Sequence, residues 1–169
     1  MLTIRHAKSE DAEVIHQLAH RIYYPTYKNI LSQDQMDFML GKSYTVEVLQ
    51  ESMISDQDFY LVLHDDVPVG FIAIKEKNDA ILRIEKLYLL PDMQGMKIGT
   101  EMINFARIQG LSRNKTILEL NVNRGNKASE FYEKVGFSIV KEVDIPYFGY
   151  LLDDYIMQMD IYFISTGVL

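Results

Sequence analysis

Between Ile81 and Leu90 the apolar residues change parity, and that shift constrains the fold more than any other feature of the chain. Leu82 and Ile84 are apolar on even positions with polar Arg83 and Glu85 beside them, whereas past Lys86 the apolar pattern moves to Leu87 and Leu89 on odd positions. Strand side chains alternate strictly between two faces. Both halves therefore reach one core only if an extra residue sits near Glu85 to Leu87, as a β-bulge. The alternative is a strand buried on both faces. A bulge bends its strand and leaves main-chain N–H and C=O groups unpaired, so an extended ligand can add to the sheet there.

The remaining sequence supplies a mixed α/β chain around one sheet. Leu2 to Ala7 alternates as a strand, and helical spacing follows from about Asp11 to Tyr24, with Val14, Leu18 and Ile22 on one face and Pro25 as the stop. Ser32 with Gln35 has the spacing of a capping box, opening a short helix that Gly41 ends, and a third helical segment runs from Thr45 to about Met53. From Phe59 the period falls to two residues. Asp65-Asp66 turns one strand into the next at Val69 to Lys75, Asn78-Asp79 turns again, and the long strand Ala80 to Leu90 follows. Then come a helix Ile98 to Gln109 before Gly110, a strand Thr116 to Val122, a helix Ala128 to Val135 before Gly136, and strands Phe137 to Val143 and Tyr155 to Ile161. No repeat or linker interrupts residues 1–169, which are expected to form a single domain.

Composition removes several kinds of chemistry. The 169 residues include no cysteine, which excludes thiolate zinc sites, iron–sulfur clusters and cysteine nucleophiles. A net charge of -7 argues against general nucleic-acid binding, which relies on Lys and Arg at phosphates, and suits a cationic small substrate. No apolar run approaches a membrane span, and the first residues lack the pattern of a secretory signal, so a cytoplasmic protein is expected. His16 and His20 are spaced to share a metal on a helix, but Gln17 stands where a water-activating glutamate would be, and no metal is expected. Asp65-Asp66 and Asp153-Asp154 read as solvated acids in turns, able to attract a cation. The apolar segment Phe163 to Leu169 reads as a packing element, with a homodimer contact as its alternative.

Two segments carry the chemistry. After the long strand, Pro91-Asp92-Met93-Gln94-Gly95-Met96-Lys97-Ile98-Gly99-Thr100 passes through a glycine turn into a helix. Free N–H groups at a helix start, together with the helix dipole, attract an anion, and Gly95 and Gly99 let a phosphate approach the backbone. A plain turn is the competing reading. In the second segment, Ala128, Phe131 and Val135 share a core-facing stripe, and Tyr132 lies at its edge, where a phenol can pack its ring and present its hydroxyl to a cleft.

Together these residues resemble the GNAT superfamily of acyl-CoA-dependent N-acyltransferases. Leu87 to Gly99 is similar to its motif A, with the core Gln/Arg-x-x-Gly-x-Gly/Ala, and Ala128-x-x-Phe131-Tyr132-Glu133-Lys134-x-Gly136-Phe137 is similar to its motif B. The resemblance implies an α/β (α+β) fold: a mostly antiparallel sheet of about seven strands, splayed at a bulged fourth strand, with helices on both faces. It implies acetyl-CoA as co-substrate, with no metal. The backbones of Leu87, Tyr88 and Leu89 would hold the pantetheine arm and polarise the thioester. Gln94, Gly95, Met96, Lys97, Ile98, Gly99 and Thr100 would cradle the pyrophosphate, and Tyr132 would protonate the departing thiolate.

The stretch from Ile22 to Leu40 and residues Gly149 to Met157 resemble bacterial members grouped with polyamine acetyltransferases. This places Tyr23 and Tyr27 at the acceptor amine and makes a small-molecule or peptide amine the partner. Three departures stand out. Lys97 occupies a motif A position usually held by glycine. Asn126 lies one place after the expected cofactor-binding asparagine, where Gly125 stands, and so becomes the shifted candidate. Asn121 takes the strand position where some members carry a glutamate base, which leaves Glu85 at the bulge as the preferred base. The rival reading is a CoA-binding sensor or scaffold that performs no transfer.

Overall fold

A computed structural model describes residues 1–162. Its seven strands form one sheet in the order β1-β2-β3-β4-β5-β7-β6. In chain order the elements are β1 (Leu2–His6), α1 (Ala12–Tyr27), α2 (Gln33–Ser43), α3 (Val46–Ser55), β2 (Asp58–His64), β3 (Val67–Glu76) and β4 (Ile81–Leu89). They continue with α4 (Ile98–Ser112), β5 (Ile117–Asn123), α5 (Ala128–Lys134), β6 (Ser138–Tyr147) and β7 (Tyr150–Asp160). Every neighbouring pair of strands is antiparallel except β4 with β5. Phe163 to Leu169 lies outside the described residues. No helix described is long and apolar enough to cross a membrane.

The bulge is present, and Glu85 is the inserted residue: Ala73 of β3 faces Lys86, while its neighbour Ile74 faces Ile84. Leu82, Ile84, Leu87 and Leu89 consequently fall on one face of the sheet, and Arg83, Lys86 and Tyr88 on the other. The first face receives α4. A Cβ placed on Gly110 of that helix would meet Ile161, Leu118 and Leu82, so this glycine lies inside the helix as a close-packing point instead of ending it. The second face receives α1 and α2, where the Tyr44 ring meets Phe71 and Tyr88 at 6.2 and 5.9 Å. Gly70 of β3 has no room for a side chain, because a Cβ there would collide with the Tyr88 carbonyl oxygen of β4.

Two boundaries differ from the sequence reading in ways that shape the site. Pro25 does not stop α1, which continues to Tyr27. Proline removes only its own N–H, and the carbonyl it leaves unpaired belongs to the exposed Arg21, where water can replace it. The continuation sets Tyr27 four residues after Tyr23 on one face, with ring centroids 4.5 Å apart. The last hairpin is also longer than expected. Phe148 and Gly149, at φ 48° and 84°, make a two-residue turn that lets β6 and β7 pair from Tyr147 with Tyr150 onward. Asp153 and Asp154 are therefore strand residues, not turn acids. A smaller difference is Gly41, which lies within α2 instead of ending it.

Candidate active site

β4 and β5 pair only from Ile81 with Ile117 to Ile84 with Leu120. Beyond that point β4 bends at Glu85 while β5 follows β7 as far as Asn123. The two strands splay, and among the described residues Glu85–Leu89 and Asn121–Asn123 have no sheet partner in each other.

One wall of the splay is aromatic. Tyr23 and Tyr27 come from α1, Tyr44 from the end of α2, Tyr88 from β4 and Tyr132 from α5. Tyr88 stacks on Phe71 at 5.3 Å, and Tyr132 meets Phe131 and Phe137 at 5.5 and 5.8 Å. Burial pushes the hydroxyls of Tyr23, Tyr44, Tyr88 and Tyr132 far above the ordinary phenol range. Burial also raises Tyr27, although the Tyr88 hydroxyl and the Asn126 amide beside it pull the other way. All five stay protonated at neutral pH.

The other wall is a polar ladder. Arg83 donates to Glu119 Oε1 at 2.5 Å, to Asn121 Oδ1 at 3.0 Å and to Glu85 Oε1 at 3.2 Å. Glu119, only 1% exposed, also accepts from Lys77 at 2.8 Å and from Gln158 at 2.6 Å. Burial alone would push its carboxyl up, but the bonds from Lys77, Gln158 and Arg83 outweigh that and hold it below its ordinary value. Asn121 continues the ladder by donating to Asp154 Oδ2 at 3.3 Å. Burial raises the Asp154 carboxyl, and the Asn121 bond only partly offsets this. Lys86, on the same face of β4, donates to Gln57 Oε1 at 2.9 Å and lies over the Phe59 and Tyr44 rings, with burial lowering its ammonium.

At the end of β4 the chain makes a short turn at Pro91–Met93, passes Gly95 at φ 83°, and enters α4 through Lys97 at φ 62° and ψ 7°. No side chain caps that helix, and among the described residues no acceptor meets the N–H groups of residues 95–100. Nothing lies within 4 Å of a Cβ built on Gly95, which leaves the turn open to a ligand. Gly99 faces inward, where a Cβ would stand 3.1 Å from the Phe131 ring, so it serves the contact of α4 with α5. The glycine-like conformation of Lys97 explains the family's preference at that position, since an L-residue there costs roughly 1–2 kcal/mol.

Most of the expected site residues are brought together: Tyr23, Tyr27, Tyr88 and Tyr132 in the aromatic wall, Glu85 at the bulge, and Gln94 to Thr100 at the mouth of α4. Asn126 Oδ1 accepts from Ala128 N at 3.0 Å in the turn before α5, while its amide lies near Tyr27. His16 and His20 are occupied separately, with Nδ1 of each against the carbonyl oxygens of Tyr44 and His16 at 2.6 and 2.8 Å. Sequence reasoning missed Tyr44 and Asp154. The period-two contrast after the Phe148-Gly149 turn, with Tyr155, Met157 and Met159 apolar on odd positions and Asp154, Gln158 and Asp160 polar on even ones, is the signal that could have placed Asp154 on a strand face.

A bulged strand splayed from its parallel neighbour and running into an open turn and helix is the architecture of the GNAT acetyltransferases, and the chain belongs to that family. Residues 28–145 match its acetyltransferase (GNAT) domain, and the protein is an acetyl-CoA-dependent N-acetyltransferase. Among particular relatives, a spermidine N(1)-acetyltransferase from Thermoplasma acidophilum is 30% identical over 147 residues, spanning 82% of this chain and 89% of that protein. The PaiA N-acetyltransferase of T. acidophilum, solved in complex with coenzyme A, superimposes with a TM-score of 0.83 at 25% identity, covering 95% of this chain and 99% of that one. Ard1 from Thermoplasma volcanium shares the fold at a TM-score of 0.73 and 19% identity, over 95% and 98% of the two chains.

Proposed function

We propose that the chain moves the acetyl group of acetyl-CoA to a primary amine by direct attack, with a polyamine such as spermidine as the acceptor. The observation that carries this reading is the splay itself: a broken β4–β5 ladder with a buried, protonated Tyr132 on one side and carboxylates on the other. In this reading the freed main chain of Leu87, Tyr88 and Leu89 holds the pantetheine arm and polarises the thioester carbonyl. The N–H groups of residues 95–100 and the Lys97 ammonium receive the pyrophosphate. Tyr132, kept protonated by burial, gives its proton to the departing sulfur.

The acceptor mouth supports a cationic amine. Tyr23 and Tyr27 line it beside Asp154, and the rings of Phe38, Tyr147 and Tyr150 cluster at its rim, with centroids of 6.3 and 5.2 Å from Phe38. Aromatic faces and carboxylates attract ammonium groups together. The relative named for spermidine acetylation supports the polyamine class. A primary ammonium has an ordinary value near 10, so it must lose a proton before it attacks. Two carboxylates are candidates to take it, Glu85 on the bulge and Asp154 on β7.

Free-thiol release from acetyl-CoA is to be followed against spermidine, spermine, putrescine, an alanyl peptide and an aminoglycoside. Turnover with a polyamine above the other amines is the expected result, and Tyr132→Phe lowers kcat about 10²-fold while coenzyme A still binds as in the parent. Tight CoA binding without release across the panel would establish the sensor reading instead.

A further inference from the structure

We infer that Asp154 is the catalytic base of the transfer: its carboxylate, gripped by the Asn121 amide on the polar side of the splay, takes the proton from the incoming ammonium opposite Tyr132. This rests on the acetyl-transfer reading above and deepens it.

The geometry separates the two candidate carboxylates. Glu85 is tied to the Arg83 guanidinium at 3.2 Å, so accepting a proton would break an ion pair. Asp154 has no cation at salt-bridge distance among the described residues, and its Oδ2 is held by a neutral donor, Asn121 Nδ2. It sits in the part of β7 that pairs with Asn123, beside the stretch of β5 that β4 has left. Tyr23 and Tyr27 of α1 both feel its charge, and Tyr27 is also the neighbour whose charge Tyr132 feels.

The surroundings tune Asp154 toward accepting a proton. Burial raises its carboxyl first, and its strand neighbour Asp153 adds to this. Asn121 on β5, Arg124 in the following loop and Arg83 on β4 oppose the rise. Arg124 is itself engaged with Asp144 and the Val143 carbonyl of β6 at 2.6 and 3.1 Å, which leaves Asp154 without a partner charge. On the α1 side the hydroxyls of Tyr23 and Tyr27 respond to its charge, and both are neutral.

The proton balance closes. The ammonium gives one proton to Asp154, which passes it to solvent. The neutral nitrogen then bonds the carbonyl carbon, and the carbon–sulfur bond breaks with its electron pair on sulfur. Tyr132 supplies the thiol proton, and the second proton leaving nitrogen restores the phenol.

The test uses the full chain with saturating acetyl-CoA and spermidine, and reads kcat/KM against pH. In the parent, activity falls on the acid side as Asp154 protonates. Asp154→Asn is expected to lower kcat/KM about 10²- to 10³-fold and to flatten that limb, within the range set for general bases. Asp154→Glu recovers part of both. Asn121→Ala shifts the limb to higher pH, because it removes a donor that favours the ionised carboxylate, and a purely structural role for Asn121 would not move it. Glu85→Gln lowers activity less than tenfold and leaves the limb in place.

A separate stability measurement guards against misfolding. A carboxyl raised in the folded state costs stability once ionised: the cost is absent below its ordinary value of 3.8 and grows as pH rises through the raised value. Asp154→Asn has no such cost, so its Tm at neutral pH is at least that of the parent. An Asp154→Asn protein that turns over within threefold of the parent, or an acid limb erased by Glu85→Gln, would overturn the assignment while leaving acetyl transfer intact. A parent that releases no thiol with any amine of the panel would overturn both.

Discussion

The two walls of the splay are built from the same sheet and helices yet treat protons in opposite ways. The aromatic wall gathers five phenols, shields them largely from water and leaves each neutral, which suits the proton-donor role proposed for Tyr132. The polar wall keeps its charges by pairing them: Lys77, Arg83, Glu119 and Glu85 satisfy one another, and Asp154 alone ends the row on a neutral amide. In the proposed mechanism, acid and base functions on one fold come from how each group is desolvated and partnered, not from residue type alone. The bulge creates the contrast, since one added residue sends Lys86 and Tyr88, instead of Leu87 and Leu89, to the face already holding Arg83.

Breaking the polar wall has the largest expected effect on stability. Arg83→Met leaves Glu119 buried with two of its three partners, and unfolding by urea should show a loss of about 3 kcal/mol, the range for disrupting a buried ion pair. The pH dependence sharpens this. Glu119 is held below its ordinary value of 4.5, so its contribution is complete above that value and is lost as pH falls through the depressed one. In Arg83→Met the acid-induced loss of stability begins at higher pH.

On the aromatic side, Gly70→Ala forces a methyl group against the Tyr88 carbonyl. A cost of about 2 kcal/mol follows if β4 must shift, and coenzyme A affinity measured by calorimetry should fall in parallel because the shifted strand is the one proposed to hold it. The smallest effect belongs to the helix mouth. Lys97→Gly relieves a left-handed residue but adds unfolded-chain entropy, for a net gain of about 0.5 kcal/mol, read as a small rise in Tm.

Much of this could be read before any coordinates. The parity change around Glu85 predicts a bulge because alternation in a strand is a local rule, and the residue inserted is one of the three that the rule allows. The glycine turn, the start of α4 and the motif around Tyr132 are likewise local, set by backbone freedom and helical spacing. The extension of α1 past Pro25 was hidden because it depends on whether one freed carbonyl faces water. The length of the last hairpin was hidden in a weak two-residue turn.

By itself the sequence determined the strand with one residue too many, the open mouth of α4 and the phenol at the edge of its stripe, all consequences of spacing along a single element. Only the tertiary structure decided which groups share the splay. Asp154 meets Asn121 through sheet pairing between residues 33 positions apart, and Tyr44 meets Phe71 and Tyr88 through packing of separate elements. Desolvation and charge partnership arise from neighbours distant in the chain, and they, more than residue identity, set which group can give a proton and which can take one.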